Sequence, residues 1–309
     1  MTDNDRVAAR TASDPAFAQI LYEEPADKIA RIILNRPGKR NAQGTSMTYE
    51  IDRAMERACQ NDAISVIILA AAGDHFSAGH DLSMSETGRP PRNEQVTLWG
   101  QYDGPGWEGL YSREKEVYLE ITERWRNAPK PLIAEVQGSV VAGGLALMWM
   151  CDIIVCSDDA RFRDNTGAEL GVPGIEFFNH PFEFGVRRAK EFLFTGGWIG
   201  AAEALACGMI NHVVPRDQLS ARALALAENI ARTDRFTLKL IKESINQAQD
   251  AMGRRQAMQH AFSLHQIGHL QNMLRYGFPI DISRLPPELR GRLEEALKAA
   301  GGKIGLGER

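Results

Sequence analysis

Hydrophobic positions follow two different periods in the first quarter of the chain. Ile29–Leu34 and Val66–Leu69 are short, nearly continuous apolar runs of the kind that is buried in a parallel sheet. Between these runs, residues 47–58 place apolar side chains at helical spacing, at Met47, Ile51, Ala54, Met55 and Ala58. A strand, a helix and a second strand therefore follow one another, which predicts an α/β fold.

The last third of the chain has the period of helices. Residues 221–231, 235–249 and 256–274 each carry apolar positions three and four residues apart, and residues 278–297 are broken by prolines before they become helical again. We therefore divide the chain into a loose N-terminal tail (1–18), a core (19–219) and a C-terminal helical subdomain (220–309).

A long polar segment, residues 82–127, interrupts this alternation. Its proline and glycine clusters predict a loop, and a helix is expected from Arg113 to Arg126. The loop also carries four aromatic residues, Trp99, Tyr102, Trp107 and Tyr111. A lid or pocket wall and a surface for oligomer packing are both compatible with this composition.

Composition excludes several classes of protein. The 309 residues are 44% hydrophobic, which is ample for a core, and the net charge of −4 does not favour a nucleic-acid partner. The four cysteines form no CxxC pair, so we predict reduced thiols and no metal site. The polar start predicts no secretory signal, and the apolar stretch Val140–Met150 is too short to span a membrane. A cytoplasmic protein without a membrane partner is expected.

Two segments of small residues carry the strongest chemical signal. His75–Asp81 and Gln137–Gly144 each follow an apolar, strand-like run, and each is rich in glycine and alanine. Such residues let a reacting group approach backbone N–H donors closely, and a helix that starts near Gly143 would direct its positive dipole end at that group. Two N–H groups from separate strands would form an oxyanion hole.

The order and spacing of motifs between about residues 29 and 219 resemble the crotonase superfamily, that is, the enoyl-CoA hydratase/isomerase family. The matching segments are Leu34-Asn35-Arg36-Pro37 with Asn41-Ala42, Phe76 to Asp81, Lys130 to Ala134, Gly138 to Gly144, Cys151 to Ile154, Thr195-Gly196, and Ala201 to Ala204. The resemblance implies a repeated ββα superhelix with a C-terminal α-helical subdomain, assembled as a homotrimer or a dimer of trimers. It also implies an acyl-CoA substrate, with coenzyme A present as part of that substrate and no separate cofactor.

The resemblance assigns roles to residues of both small-residue segments. It implies that Ala78 and Gly143 donate the two N–H groups to the thioester oxygen, so that the enolate is stabilised. It also places the coenzyme A contacts on two short stretches of the chain, at Lys39, Arg40, Ala42, Ala78, His80 and Asp81. Basic turn residues are common without a ligand, however, and Asp81 is equally explained as a turn residue.

The usual acid–base groups of the family are missing. Family hydratases use two glutamates, and the matching positions here are Ala146 and Thr166. A third acidic position, used by some isomerases, hydrolases and dehalogenases, falls on Gly174. The predicted site therefore polarises a thioester but lacks the residues with which hydratases add water.

Three other residues are candidates for proton transfer. Glu176 and His180 lie in a stretch with four phenylalanines, where shifted pKa values are expected, and Glu176 is preferred because it is closest to Gly174. His180 is otherwise explained as a hydrogen-bonded structural histidine. Glu169 is a further candidate, although we favour a capping box in which Thr166 caps a helix and Glu169 reaches back to it.

The sequence therefore favours an enoyl-CoA hydratase/isomerase-like enzyme that binds an acyl-CoA thioester and stabilises its enolate. A different acyl-CoA reaction, such as isomerisation, C–C cleavage or thioester hydrolysis, is the alternative. A non-catalytic acyl-CoA-binding protein is a third possibility.

Overall fold

The computed structural model describes residues 17–82, 96, 97, 99, 102, 106–285 and 287–299. Nearly all of the tail predicted at 1–18 lies outside these residues, as does most of the loop predicted within 82–127. Among the described residues, no helix combines the length and the apolar character that a membrane crossing requires.

Nine strands form two sheets in the described part of the chain. The six-stranded sheet has the order β1-β2-β3-β4-β6-β9, and the smaller sheet has the order β5-β7-β8. Their bounds are β1 Ile20–Ala26, β2 Ile29–Leu34, β3 Val66–Ala71, β4 Leu132–Val136, β5 Ser139–Val141, β6 Ile153–Ser157, β7 Arg161–Arg163, β8 Ile199–Gly200 and β9 His212–Val214. Only β1 runs antiparallel to its neighbour in the larger sheet, so five parallel strands end at one edge.

The helices account for most of the remaining described residues. Their bounds are α1 Thr45–Gln60, α2 Glu108–Glu114, α3 Ile121–Arg126, α4 Gly143–Trp149, α5 Thr166–Leu170, α6 His180–Phe184, α7 Val186–Thr195, α8 Ala201–Ala206, α9 Leu219–Ile230, α10 Arg235–Ala251, α11 Arg254–Tyr276 and α12 Pro287–Ala299. A π-helical segment, Lys115–Glu120, joins α2 to α3 without a break.

Both faces of the larger sheet are covered, which explains why its inner strands are mainly apolar. Ile68 and Ile133 pack on one face with Ala223 and Ala227 of α9. The other face contributes to the main core, together with side chains of α1 and α4. The α/β fold and the helix expected around residues 47–58 are confirmed.

Candidate active site

The two small-residue segments lie side by side at the ends of strands β3 and β4. Ser77 forms a parallel bridge with Val140, and the N–H of Val141 donates to the Ser77 carbonyl at 3.0 Å. A Cβ added to Gly79 would lie 2.7 Å from the Val141 oxygen and 3.2 Å from the Gly143 nitrogen. Glycine is therefore required at position 79, because the two main chains come into direct contact there.

The N–H of Ala78 is not available as a donor to a ligand, which corrects the assignment from the sequence. It donates to the carbonyl of Arg40 at 2.8 Å. Arg40 and the following Asn41 have positive φ angles of 49° and 52°, and this turn presents the Arg40 carbonyl to Ala78. A single N–H already committed to an acceptor at this distance cannot also bind a thioester oxygen.

The N–H of His80 takes the place expected for Ala78. Gln43 and His80 form an isolated parallel bridge. Its two hydrogen bonds are made by Gln43 and by the residues on either side of His80: the N–H of Gln43 donates to the Gly79 carbonyl, and the N–H of Asp81 donates to the Gln43 carbonyl, both at 2.8 Å. Backbone groups alternate along such a pair, so the N–H of His80 points away from Gln43. Among the described residues it donates to no protein acceptor.

Gly143 supplies the second free N–H because it begins helix α4, where the first N–H groups have no partner within the helix. Ala142 precedes it with φ 45° and ψ −116°, a strained conformation for alanine that sets the direction in which α4 starts. His80 and Gly143 each stand three residues beyond the bridged pair Ser77 and Val140. The Gly143 nitrogen lies 3.2 Å from the position of a Cβ on Gly79, so the residues that carry the two N–H groups are close neighbours.

The imidazole of His80 folds over Gly143 and leads to a buried carboxylate. A Cβ on Gly143 would lie 2.3 Å from the His80 ring, and the ring stacks on Tyr118 with centroids 3.6 Å apart. The Nδ1 atom of His80 is 3.7 Å from Oε1 of Glu176, whose side chain is only 5% exposed. Glu176 thus lies directly behind the residue that carries one of the free N–H groups.

Glu176 belongs to a buried cluster of ionisable groups. Its Oε1 is 3.7 Å from Nε2 of His265. Beyond His265, the carboxylate of Glu114 lies 3.8 Å from His265 and 3.3 Å from Nε2 of His269. Glu114 lies on α2 and both histidines lie on α11, so helices more than 100 residues apart in sequence converge behind the two N–H donors.

Burial and neighbouring charges shift the pKa values within this cluster. Burial, followed by the charge of Glu114, raises the pKa of Glu176 to about 8. Burial lowers the pKa of His80 to about 3 and that of His265 to about 4. Burial alone would raise the pKa of Glu114, but His269, His265 and Arg113 outweigh it and hold that pKa well below its usual range. Glu176 therefore holds a proton more readily than an ordinary carboxyl does, whereas Glu114 stays ionised.

His180 is held in place by a buried partner and by aromatic rings. It is fully buried, its Nε2 lies 2.8 Å from Oδ2 of Asp164, and its ring packs against Trp149 at 4.8 Å and Phe178 at 4.8 Å. The structure therefore supports the hydrogen-bonded structural histidine that the sequence left as the alternative.

Glu169 does not join the cluster, and the capping box is wrong. Glu169 forms an ion pair with Arg163 and accepts a hydrogen bond from Asn165, and its side chain is 36% exposed. Thr166 is the first residue of α5, and it donates its N–H and its hydroxyl to Oδ1 of Asp164 instead of capping the helix. Asp164, which accepts both of these hydrogen bonds, lies two residues before Thr166 and is not part of the capping-box pattern.

Residues 37–42 form a turn that lies next to the segment His75–Asp81. Lys39 and Arg40 are exposed, whereas Ala42 is partly buried and accepts a hydrogen bond from Arg36 at 2.8 Å. Arg36 also forms an ion pair with Asp81 at 2.9 Å, so Asp81 joins the two segments. The turn that carries these two basic residues therefore contacts the segment that carries the His80 N–H.

The sequence missed Glu114, His265 and His269. The only signal was the spacing of the two histidines, four residues apart on a predicted helix, which places both on one face.

Comparisons with known proteins identify the family of the chain. The family model described as enoyl-CoA hydratase/isomerase matches residues 24–276. The Mycobacterium tuberculosis protein named "Putative enoyl-CoA hydratase EchA13" is 41% identical over 294 residues, which are 90% of this chain and 92% of that protein. Human enoyl-CoA hydratase domain-containing protein 3, mitochondrial, is 32% identical over 74% of this chain and 72% of its own length.

Solved structures are similar as well. The crystal structure of a probable enoyl-CoA hydratase from Mycobacterium smegmatis has a TM-score of 0.76 and 43% identity, covering 85% of this chain and 99% of that chain. An enoyl-CoA hydratase/isomerase from Xanthobacter autotrophicus Py2 has a TM-score of 0.68 and 29% identity, covering 84% and 94%.

Proposed function

Because the chain belongs to the enoyl-CoA hydratase/isomerase family of enzymes and has the crotonase fold, we propose that it binds an acyl-CoA thioester and stabilises its enolate. The thioester oxygen accepts hydrogen bonds from the N–H groups of His80 and Gly143. The observation that carries this proposal is that the two segments are in contact and that neither N–H donates to an acceptor within the described residues.

The two donors act on charge that develops during the reaction. Removing a proton next to the carbonyl shifts an electron pair onto the thioester oxygen, and a donor placed there is typically worth about 2.7–4 kcal/mol. The start of α4 adds the positive end of a helix, although α4 has only seven residues and its dipole is correspondingly small.

Glu176 is the group that transfers the proton in this proposal. Its carboxyl lies directly behind His80, 3.7 Å from Nδ1, and it is buried away from bulk water. A general acid–base group must come within hydrogen-bond reach of the proton that it moves, and of the acidic candidates only Glu176 adjoins a residue with a free N–H. Lys39 and Arg40 would contact the coenzyme A phosphates from the exposed turn.

Isomerisation is favoured over hydration as the reaction. At the two glutamate positions of the hydratases, Ala146 has no polar side chain and the hydroxyl of Thr166 is committed to Asp164. One carboxyl can take a proton from one carbon and return it to another, whereas water addition needs groups that hold and activate the water. We therefore expect the protein to isomerise enoyl-CoA thioesters faster than it hydrates crotonyl-CoA; crotonyl-CoA hydration at a rate typical of the family would contradict this choice.

The oxyanion assignment is tested with two variants of Gly143. Both Gly143→Pro and Gly143→Ala add a Cβ beside the His80 ring, but only proline removes the N–H. We expect the proline variant to lose about 10²–10³ in kcat on an acyl-CoA substrate beyond any loss in the alanine variant. Equal activity of the two variants, with folding checked by circular dichroism, would exclude this N–H from catalysis.

A further inference from the structure

The buried cluster behind the candidate active site holds two imidazole nitrogens without hydrogen-bond partners. Nε2 of His265 and Nε2 of His269 are both buried, and among the described residues neither has an acceptor or donor at hydrogen-bond geometry. Both side chains are at most 7% exposed. Buried polar atoms are normally satisfied, so two orphaned nitrogens directed at the same point require an explanation.

The hydrogen bond made by Nδ1 of each ring determines whether Nε2 of a neutral ring carries a hydrogen. Nδ1 of His265 lies 2.7 Å from the carbonyl of Gly174, and Nδ1 of His269 lies 2.6 Å from the carbonyl of Pro279. A carbonyl only accepts, so both Nδ1 atoms carry hydrogen and donate. In the neutral rings, each Nε2 therefore presents a lone pair toward the carboxylate of Glu114, which is itself an acceptor.

With both rings neutral, two imidazole lone pairs and one carboxylate converge with no N–H between them, which is the arrangement of a cation site. We propose that Glu114, His265 and His269 bind one divalent transition-metal ion, and that Zn²⁺ is the ion that this donor set fits best. Two histidines and one glutamate form a known ligand set for zinc, with a fourth position left open. The spacing of the histidines, four residues apart on α11, is the one that places two zinc ligands on a single helix face.

Distances in the cluster fit an ion of this size. One donor atom from each of the three residues can be chosen so that all three lie within 4.8 Å of one another. Tetrahedral coordination at zinc bond lengths needs donors about 3.3–3.6 Å apart, so small side-chain rotations close the site. Oε1 of Glu176 lies 3.7 Å from Nε2 of His265, which places Glu176 beside the fourth position.

A hydrogen bond to a neighbouring group also orients each ligand, as is usual for metal ligands. The two backbone carbonyls hold the histidine rings. Gln266 donates its amide to Oε2 of Glu114 at 2.6 Å, and Trp107 donates in turn to Gln266 at 2.9 Å. These contacts restrict each ligand to small rotations about its present direction.

A proton is the competing occupant. Burial would lower the pKa of His269, but the charge of Glu114 outweighs it and raises that pKa. A protonated His269 would donate to Glu114 and leave only His265 unsatisfied. The two occupants differ in whether the purified protein retains a metal.

The experiment measures metal directly, in the full-length protein without an affinity tag. The protein is stripped with a chelator, equilibrated with Zn²⁺ or Co²⁺, dialysed and analysed by mass spectrometry of the elements. We expect about one ion per chain, and for Co²⁺ the intense visible absorption of a four-coordinate site. No substrate is used, so failure here leaves the proposed function untouched.

Variants locate the ion. His269→Gln and Glu114→Gln should each lower the affinity by more than about tenfold, the least that loss of a supporting residue costs at such sites. His260→Gln is the matched control, since His260 lies exposed on the same helix. Two results would overturn the proposal: wild-type protein that retains no stoichiometric metal, which leaves the His269–Glu114 ion pair, or retention that survives both cluster variants, which places the ion elsewhere.

Discussion

At the scale of single residues, which backbone N–H is free decides where chemistry can occur. Ala78 and His80 are two residues apart in the same small-residue segment, and only pairing with the chain around Arg40 and Gln43 distinguishes them. The family resemblance predicted Ala78 and Gly143 as the donors; the N–H of Ala78 is committed to Arg40, and the role of Gly143 stays a prediction. The positive φ angles of Arg40 and Asn41 direct the Arg40 carbonyl toward Ala78, and no pattern in the sequence predicts that conformation.

Glu176→Gln tests the proton-transfer group. The amide keeps the shape of the side chain but cannot exchange the proton, so we expect kcat on an acyl-CoA substrate to fall by about 10²–10⁴. Glu183→Gln is the control, because Glu183 occurs in the same stretch but is hydrogen-bonded by Asn179. A folded Glu176→Gln enzyme with more than about a tenth of wild-type kcat would show that Glu176 is not the acid–base group.

Asp164→Asn tests a buried charge that stabilises the fold. Burial would raise the pKa of Asp164, but hydrogen bonds from His180 and Thr166 outweigh it and lower that pKa. Because the folded-state pKa lies below the unfolded value, ionised Asp164 stabilises the fold above the unfolded pKa, about 3.9. We expect the variant to be less stable by about 1.5–3 kcal/mol at pH 7.

This difference should shrink as the pH falls from the unfolded pKa through the folded one. Denaturant unfolding of both proteins between pH 7 and the lowest pH at which they fold measures it. Asp158→Asn, at an exposed position, is the control and should show little difference at any pH. A gap that stays constant down to strongly acidic pH would mean that the Asp164 charge contributes nothing.

At the scale of elements, buried charges fix where helix α11 packs. Arg254 begins α11 and is fully buried, and its guanidinium binds Glu123 of α3 at 2.6 Å and Asp250 of α10 at 2.7 Å. The sequence showed that α11 exists, because its apolar period is long. It did not show what α11 packs against, because the partners are carboxylates on other helices and apolar periodicity does not reveal them.

Arg254→Leu should therefore lower the free energy of unfolding by about 3–5 kcal/mol, since it leaves two carboxylates without their cation. Equilibrium denaturation in urea measures the change. The adjacent Arg255 is exposed, and Arg255→Leu should stay within about 0.5 kcal/mol of the wild type. Similar losses in the two variants would show that the buried ion pairs do not hold α11 in place.

At the scale of the whole molecule, the alternation of strands and helices was readable because the parallel sheet is built from apolar runs. The second sheet was not, since β5, β7 and β8 have only two or three residues each. The C-terminal helices leave apolar side chains in solvent, at Phe236, Leu240, Ile241 and Ile245 on α10 and at Leu264, Ile267, Leu270 and Leu274 on α11. Faces of this kind mark protein interfaces.

We expect these faces to join copies of the chain in a trimer or a dimer of trimers. Ile245, 64% exposed, is the point to test: Ile245→Asp should reduce the mass measured by light scattering toward that of one 34.2-kDa chain. Ser244→Asp adds the same charge one residue away and should leave the mass unchanged. A wild-type protein that is already a monomer, or an Ile245→Asp variant with unchanged mass, would contradict this assembly.

The π-helical segment between α2 and α3 makes the buried cluster sensitive to the deletion of a single residue. Its last turn closes over five residues, with the N–H of Ile121 donating to Glu116. Such a turn is one residue longer than an α-helical turn, and each residue rotates an α-helix by about 100°. Deleting a single codon from this segment would let the helix run straight through and would turn Glu114 about a quarter of the way round the axis. A reading-frame-preserving deletion, with no substitution anywhere near His265 or His269, would thus separate the carboxylate from both rings.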